Sequence, residues 1–237
     1  HQPMSNAGET SWITYNGECY NFKDERALLA DDYDFRSQTD TEVILRLHDT
    51  CGTEATLKRL NGMFAFAVWD TATRTLTLAR DRLGKKPLYY MHRDDGSLLF
   101  ASEIKALLAS GFVDKERIDP IALVQFWTYG YATGERTLYE QIKRVPPGHF
   151  ARWKDGALHV QEYWDCPFGE SDAPERSMDD LADELDELLS DAIRMRLIAD
   201  VPIGLFLSAG VDSSLIAALA SRVSNAPLQS FTIGFEQ

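Results

Sequence analysis

The sequence is poor in cysteine and has no long apolar run. Its three cysteines, Cys19, Cys51 and Cys166, lie far apart and are odd in number, which argues against a disulfide framework and against a metal-binding pair. No apolar stretch approaches the ~20 residues that a membrane span needs. The first residues resemble neither a signal peptide nor a transit peptide. We therefore expect a cytoplasmic location.

Basic residues are also scarce. Lysine and arginine total 24 against 37 acidic residues, so the formal net charge is −13. Such a chain repels phosphate backbones and anionic lipid, and neither nucleic acid nor a membrane is an expected partner. The loop Gly-x-x-x-x-Gly-Lys-Ser/Thr is absent, which argues against a kinase or GTPase. What remains is a 237-residue chain with 44% hydrophobic residues, enough for one large or two ordinary globular domains.

The most specific pattern lies at 201–219. An apolar run typical of a buried strand leads into small and hydroxyl residues at 208–214, and apolar residues at helical spacing follow. The first amides of this helix, at 210–214, would converge with the hydroxyls of Ser208, Ser213 and Ser214 on an anion, where the helix dipole adds positive potential. A phosphate group fits this turn. The same residues could also form an ordinary helix cap.

The first part of the chain favours a sheet. It predicts a strand at 12–15, a turn at Asn16-Gly17 and a helix from Phe22, and it places Thr39 or Asp40 as the cap of a second helix. Residues 62–69 are apolar on both alternating faces, as in a strand buried on both sides. Later segments are predicted to continue this sheet, at 75–80, 88–91 and 98–101. Without further context, Asn16-Gly17 is a hairpin corner and Asp40 a cap.

The later part of the chain changes character. Residues 165–187 hold ten acidic residues and a single arginine. Ser177 is predicted to cap a helix with a buried stripe of Leu181, Leu185, Leu188, Ala192 and Met195. A parallel strand–helix–strand unit follows, ending at 229–235. These patterns predict a first domain at 1–165, an acidic linker at 166–178 and the start of a second domain at 179–237.

Several segments together resemble glutamine-hydrolysing asparagine synthetase. The loop Ser208-Ala209-Gly210-Val211-Asp212-Ser213 is similar to the Ser-Gly-Gly-x-Asp-Ser pyrophosphate loop of the ATP pyrophosphatases, with alanine in place of the first glycine. The other matching segments lie ahead of it, in the order of the family: 15–21, 39–42, 60–66, 79–90 and 101–107.

The resemblance implies a partial N-terminal-nucleophile αββα sandwich, the class II glutaminase domain, followed by the start of an α/β parallel-sheet ATP-pyrophosphatase domain. In that family the nucleophile is a cysteine at the mature N-terminus, whereas this chain begins with His1. None of the three cysteines is expected to replace it. The resemblance therefore implies a fragment that lacks the N-terminal cysteine and most of the synthetase domain, inactive by itself as a glutaminase.

The resemblance also implies roles for individual residues. Asn16 and Gly17 match the oxyanion hole, and the four positions Asn16, Gly17, Glu18 and Asp40 match the glutamine site. The pyrophosphate site corresponds to Ser208, Gly210, Asp212 and Ser213, with Asp212 as the Mg²⁺ ligand. Leu207 and Ile233 match the positions that contact the adenosine of ATP.

The implied activity is the ATP-dependent conversion of aspartate to asparagine with glutamine-derived ammonia. It proceeds through a β-aspartyl-AMP intermediate and releases AMP and pyrophosphate. Glutamine, aspartate and ATP are then the small-molecule partners, and a homodimer is left open. Two alternatives remain: a related amidotransferase acting on another carboxylate, such as a polysaccharide or antibiotic precursor, and a non-catalytic scaffold with a dead glutaminase.

Overall fold

The computed structural model describes residues 1–168, 176–199 and 201–234. The chain divides into two compact units, His1–Pro167 and Phe168–Gln237, and each is described by itself. Most of the predicted acidic linker, 169–175, lies outside the described residues. Within the described ranges, no helix combines the length and apolar character needed to cross a membrane.

The first unit contains nine strands and four helices. The strands are β1 (Met4–Ser5), β2 (Ser11–Cys19), β3 (Gly62–Asp70), β4 (Thr75–Arg80), β5 (Tyr89–His92), β6 (Leu98–Ala101), β7 (Lys143–Arg144), β8 (His149–Lys154) and β9 (Ala157–Glu162). The helices are α1 (Phe22–Leu29), α2 (Asp40–Arg59, interrupted at Gly52), α3 (Ile104–Ala109) and α4 (Pro120–Tyr129).

These strands form two antiparallel sheets. The larger has the order β1-β2-β3-β4-β8-β9 and the smaller has the order β6-β5-β7. The prediction that 88–91 and 98–101 continue the first sheet was wrong, because β5 and β6 pair with each other in the second sheet. The chain leaves the first sheet at Asp81, whose buried carboxylate binds the backbone of the following residues.

Three apolar clusters define the layers of the first unit. Phe64, Phe66 and Val68 of β3 pack with residues of α2 on one face of the large sheet. From the opposite face of the same strand, Ala65 and Ala67 pack with residues of the second sheet and its adjoining loops. A third cluster joins the second sheet to Leu107 of α3. The layer order is helix, sheet, sheet, helix, which confirms the expected αββα sandwich and the prediction of a strand buried on both faces.

The Asn16-Gly17 turn was a wrong prediction. Both residues lie inside β2, where Asn16 is opposite Ala65 and Gly17 is opposite Phe64 of β3. A Cβ atom on Gly17 would lie 2.2 Å from the carbonyl oxygen of Met63. The glycine therefore permits two strands to approach closely, and pairing with β3 overrides the turn preference of the dipeptide.

The second unit contains α5 (Met178–Arg196), β10 (Gly204–Phe206), α6 (Val211–Val223) and β11 (Gln229–Phe231) among its described residues. β10 and β11 pair in parallel, which confirms the predicted strand–helix–strand unit. The last residue of the predicted second strand, 235, lies outside the described residues.

Helix α5 begins as predicted but does not bury its stripe. Ser177 Oγ accepts a hydrogen bond from the backbone N–H of Asp180 at 3.0 Å, as an N-cap does. The expected buried stripe was wrong, since Leu181, Leu185 and Leu188 are 43%, 53% and 61% exposed.

Candidate functional site

Asp40 links the first turn of α2 to strand β2. Its Oδ2 accepts hydrogen bonds from the Tyr15 hydroxyl at 2.9 Å and from the backbone N–H of Cys19 at 3.0 Å. Thr39 is the N-cap residue of the helix but makes no capping bond through its side chain. The prediction of Asp40 as a helix cap was therefore wrong, because its carboxylate binds a neighbouring strand instead.

Among the residues that the structure describes, the edge of β2 beside Asp40 has no strand partner beyond Trp12 and Ile13. β1 pairs only with Trp12 and Ile13 of β2. Further along, the Gln2 side chain replaces a strand, since it accepts from the Tyr15 N–H at 2.6 Å and donates to the Tyr15 carbonyl at 3.0 Å. The N–H groups of Tyr15 and Cys19 thus point to this edge, and by strand alternation the N–H of Gly17 points the same way.

The spacing along this edge matches one amino acid. Two residues of a strand span about 6.7 Å, so the Gly17 N–H lies about that far from the Cys19 N–H that Asp40 binds. An extended glutamine measures about 6 Å from its α-nitrogen to its amide oxygen. A ligand of that length can place its ammonium at the carboxylate of Asp40 and its carbonyl oxygen at the Gly17 amide.

Asn16 lies on the opposite face of β2 from Tyr15. It contributes to a cavity of about 340 Å³ between the two sheets, together with Thr14, Ala65, Leu88 and Phe100. Its backbone N–H points toward β3 by the same alternation. Only the side-chain amide of Asn16 can therefore reach a ligand. If Asn16 contributes to an oxyanion hole, it does so through this carboxamide and not through its backbone N–H.

Glu18 is exposed and shares the strand face of Asn16. The structure thus brings three of the four predicted glutamine-site residues onto consecutive positions of β2, and it brings Asp40 against the end of the same strand. Their roles toward glutamine stay predictions.

Arg80 and Asp81 have a structural role that the sequence did not predict. Asp81 is 1% exposed, and its two carboxylate oxygens accept from the backbone N–H groups of Phe64, Leu83, Lys85 and Lys86. Arg80 donates to the carbonyls of Gly84, Lys86 and Val145. The two side chains hold the loop that carries Pro87 and Leu88 to the wall of the Asn16 cavity. The available signal was a charged pair directly after an apolar strand.

Cys19 is buried at the end of β2. Burial, and then the negative charge of Asp40, raises the pKa of its thiol to about 12. A thiol that stays protonated is a poor nucleophile. This fits the expectation that Cys19 does not replace the N-terminal cysteine of the family.

We expect Cys19 to resist alkylation by iodoacetamide at pH 8 in the folded protein and to react after unfolding in urea, as read by peptide mass spectrometry. Folded-state stability should also fall as the pH rises from about 9 towards 12, because the folded thiol keeps a proton that the unfolded thiol releases near its ordinary pKa of 9.0. Cys19→Ala should remove that part of the alkaline loss. Modification of native Cys19 at pH 8 would contradict the account.

The phosphate turn joins β10 to α6. The hydroxyls of Ser208 and Ser213 lie 3.1 Å apart, and Ser213 Oγ also accepts from the Ser208 N–H at 3.3 Å and donates to the Gly210 carbonyl at 3.2 Å. The Ser214 N–H bonds to the Gly210 carbonyl at 3.0 Å, so the expectation of a free donor there was wrong. The donors outside the helical ladder are those of 211–213.

The remaining nucleotide-site residues surround this turn. Leu207 follows β10 and donates its N–H to the Phe231 carbonyl of β11 at 2.9 Å, and Ile233 lies two residues beyond that carbonyl and is 80% exposed. Asp212 is exposed in the first turn of α6. Within the described part of the chain, no group of three His, Cys, Asp or Glu side chains could hold a metal ion. A single carboxylate still suits Mg²⁺ when phosphate oxygens and water complete its octahedral shell.

Ala209 has a φ of +58°, a left-handed conformation that costs a residue with a Cβ about 1 kcal/mol or more. Ala209→Gly should therefore raise the free energy of unfolding of the second unit by about 1 kcal/mol in urea titrations. Ala217→Gly, inside α6, is the matched control and should lower it by about the same amount. A loss of stability in Ala209→Gly would contradict the left-handed backbone.

Comparison with known proteins shows the family of this chain. Residues 1–164 match the family model described as "Glutamine amidotransferase domain", and residues 184–237 match the model described as "Asparagine synthase". The chain is 38% identical to asparagine synthetase [glutamine-hydrolyzing] 3 of Bacillus subtilis and 37% identical to asparagine synthetase 1 of the same organism, covering 100% of this chain in both cases. It is 35% identical to amidase chry2 of Gibberella zeae over 94% of this chain.

The chain spans only part of these relatives: 39% and 36% of the two Bacillus proteins and 32% of the amidase. Among solved structures, glutamine phosphoribosylpyrophosphate amidotransferase from B. subtilis superposes with a TM-score of 0.48 at 16% identity, covering 98% of this chain and 48% of that chain. So distant a match adds nothing to the layer order described above. The match to the glutamine amidotransferase model covers most of the chain, and the chain therefore belongs to the glutamine amidotransferase domain family.

Proposed function

We propose that this chain belongs to an ATP-dependent amidotransferase that converts aspartate to asparagine with ammonia from glutamine. The observation that carries the proposal is that one chain contains two sites. The edge of β2 between Gly17 and Asp40 has the length of one amino acid, and the turn at the start of α6 has backbone N–H groups that can bind a phosphate. The two Bacillus relatives carry the name of this reaction. A cytoplasmic location remains our expectation from the cysteine content and the first residues. The absence of nucleic-acid and membrane partners remains our expectation from the charge, and a homodimer stays open.

In the glutamine half, Asp40 binds the substrate ammonium, since a carboxylate is the side chain that attracts it. Glu18 is a further contact of the bound glutamine. The Gly17 N–H and the Asn16 carboxamide donate to the amide oxygen as it becomes negative during attack, so they stabilise the charge that develops in the transition state. The attacking thiol is that of the N-terminal cysteine implied by the resemblance, because the buried thiol of Cys19 stays protonated.

In the nucleotide half, ATP is the second substrate. Ser208, Gly210 and Ser213 bind its pyrophosphate portion, and Leu207 and Ile233 contact the adenosine. Asp212 supplies a carboxylate for Mg²⁺, which offsets phosphate charge. The aspartate side-chain carboxylate attacks the α-phosphorus to give β-aspartyl-AMP and pyrophosphate. Ammonia then displaces AMP and forms asparagine. Adenylation is needed because a carboxylate is a poor electrophile.

The test is pyrophosphate release by the protein expressed from its complete coding sequence, with ATP, Mg²⁺ and ammonium chloride. Ammonium makes the assay independent of the glutamine half. We expect release to require aspartate and to yield equal amounts of AMP and asparagine. Release that ignores aspartate would contradict the proposed acceptor, and absence of any AMP would contradict the nucleotide site.

The main alternative is an amidotransferase that acts on another carboxylate, and the similarity to a protein named amidase supports keeping it. Pyrophosphate release that responds to a different carboxylic acid, with unchanged glutamine hydrolysis, would favour it. A scaffold with a dead glutaminase would show neither activity.

A further inference from the structure

The carboxylate of Asp40 is held from one side only. Its Oδ2 takes both strong contacts, from the Tyr15 hydroxyl and the Cys19 N–H. Its Oδ1 accepts from the Thr41 hydroxyl at 3.5 Å, a long contact. A carboxylate fixed through one oxygen cannot rotate freely, so its second oxygen keeps a defined direction.

Tyr15 is well suited to fix that carboxylate. Burial, followed by the charge of Asp40, raises the pKa of the Tyr15 hydroxyl far above its ordinary value, so the hydroxyl stays protonated and donates throughout the working pH range. The backbone of Tyr15 is itself fixed, since both its N–H and its carbonyl bond to the side-chain amide of Gln2.

From this arrangement we infer that Tyr15 is a positioning residue for substrate binding: its hydroxyl holds Oδ2 of Asp40 so that Oδ1 meets the α-ammonium of glutamine at the open edge of β2. The inference rests on the proposed function and extends it to a residue outside the predicted glutamine site. Tyr15 acts through Asp40 and does not touch the reacting amide.

Without the Tyr15 hydroxyl, only the Cys19 N–H and the long Thr41 contact would remain to direct the carboxylate. Loss of the Tyr15 hydroxyl should therefore weaken ground-state binding of the ammonium and leave the chemical step unchanged. An interaction made equally in the ground and transition states affects KM without affecting kcat.

The experiment compares glutamine hydrolysis by the protein expressed from its complete coding sequence with that of Tyr15→Phe. Phenylalanine keeps the ring and removes only the hydroxyl. We expect KM for glutamine to rise about tenfold and kcat to stay within about twofold, as for loss of a hydrogen bond to a charged group. Glutamate, the product, should lose affinity by a similar factor in calorimetry.

Tyr33→Phe is the matched control, because the Tyr33 hydroxyl donates to Glu42 in the same first turn of α2. It should leave KM unchanged. Thermal unfolding of both variants shows whether a substitution has damaged the fold. Such damage reduces the fraction of active protein, so it lowers the apparent kcat and leaves KM unchanged.

The outcomes are distinguishable. An unchanged KM in Tyr15→Phe with normal wild-type turnover overturns the inference and leaves the proposed function standing. A fall in kcat at constant KM also overturns it. Absence of glutamine turnover by the wild-type protein overturns the proposed function, and the inference with it.

Discussion

Replacing Asp81 with alanine should lower the free energy of unfolding of the first unit by about 3–5 kcal/mol. The buried carboxylate accepts four backbone N–H bonds, from residues on β3 and in the loop 83–86. Without it, those amides lose their partner where water cannot easily replace it. The loop that carries Leu88 to the cavity at Asn16 should then lose its defined path. Urea titration followed by tryptophan fluorescence measures the effect.

Asp95→Ala is the matched control. Asp95 also accepts a backbone N–H, that of Ser97 at 2.9 Å, but it lies in an exposed turn. Its replacement should leave the urea midpoint nearly unchanged, because water can satisfy the exposed amide. Equal midpoints for the two variants would mean that Asp81 does not organise the loop.

Replacing Asp40 with asparagine should raise KM for glutamine about 100-fold, which corresponds to about 2.7 kcal/mol. Asparagine keeps the size of the side chain, and its carbonyl oxygen can still accept from Tyr15 and Cys19. The variant therefore removes the charge that attracts the substrate ammonium and preserves the local fold. Steady-state glutaminase kinetics on the protein expressed from its complete coding sequence measures the change.

Asp49→Asn, on the same helix, removes one charge at an exposed position where the side chain accepts from Asn6 at 2.7 Å. It should change KM by less than about twofold. A similar KM in Asp40→Asn and the wild-type protein would show that the ammonium binds elsewhere.

The sequence predicted those secondary-structure elements that depend on neighbouring residues in the chain. The continuous apolar run at 62–69 indicated a strand buried on both faces, and β3 has an apolar cluster on each face. Ser177 was recognised as a cap from the residues that follow it, and it accepts the expected backbone bond. The parallel unit around α6 followed from the order of strand, turn and helix.

The failures have long-range causes. Asn16-Gly17 has the composition of a turn, but Met63 and Phe64, more than forty positions along the chain, approach Gly17 so closely that glycine is required inside the strand. The spacing of apolar residues in α5 correctly indicated a helix, but it did not indicate how far its apolar face is buried. No local pattern could distinguish Asp40 as a helix cap from Asp40 as a partner of Tyr15, because the contact joins residues 25 positions apart.

At the turn between β10 and α6, the motif predicted which residues lie together, but it did not predict the backbone conformation of the residues between them. The left-handed φ of Ala209 depends on how β10 leads into α6. It explains why the related loop has glycine at this position. The alanine keeps the same path at a conformational cost.

The most direct test of the account is a structure of the protein, expressed from its complete coding sequence, with glutamate bound in the glutaminase unit. The account predicts the α-ammonium within hydrogen-bond distance of Asp40 Oδ1 and a side-chain carboxylate oxygen at the Gly17 N–H, so that the ligand lies along the open edge of β2. Glutamate bound away from that edge, or with its ammonium directed from Asp40, would contradict it.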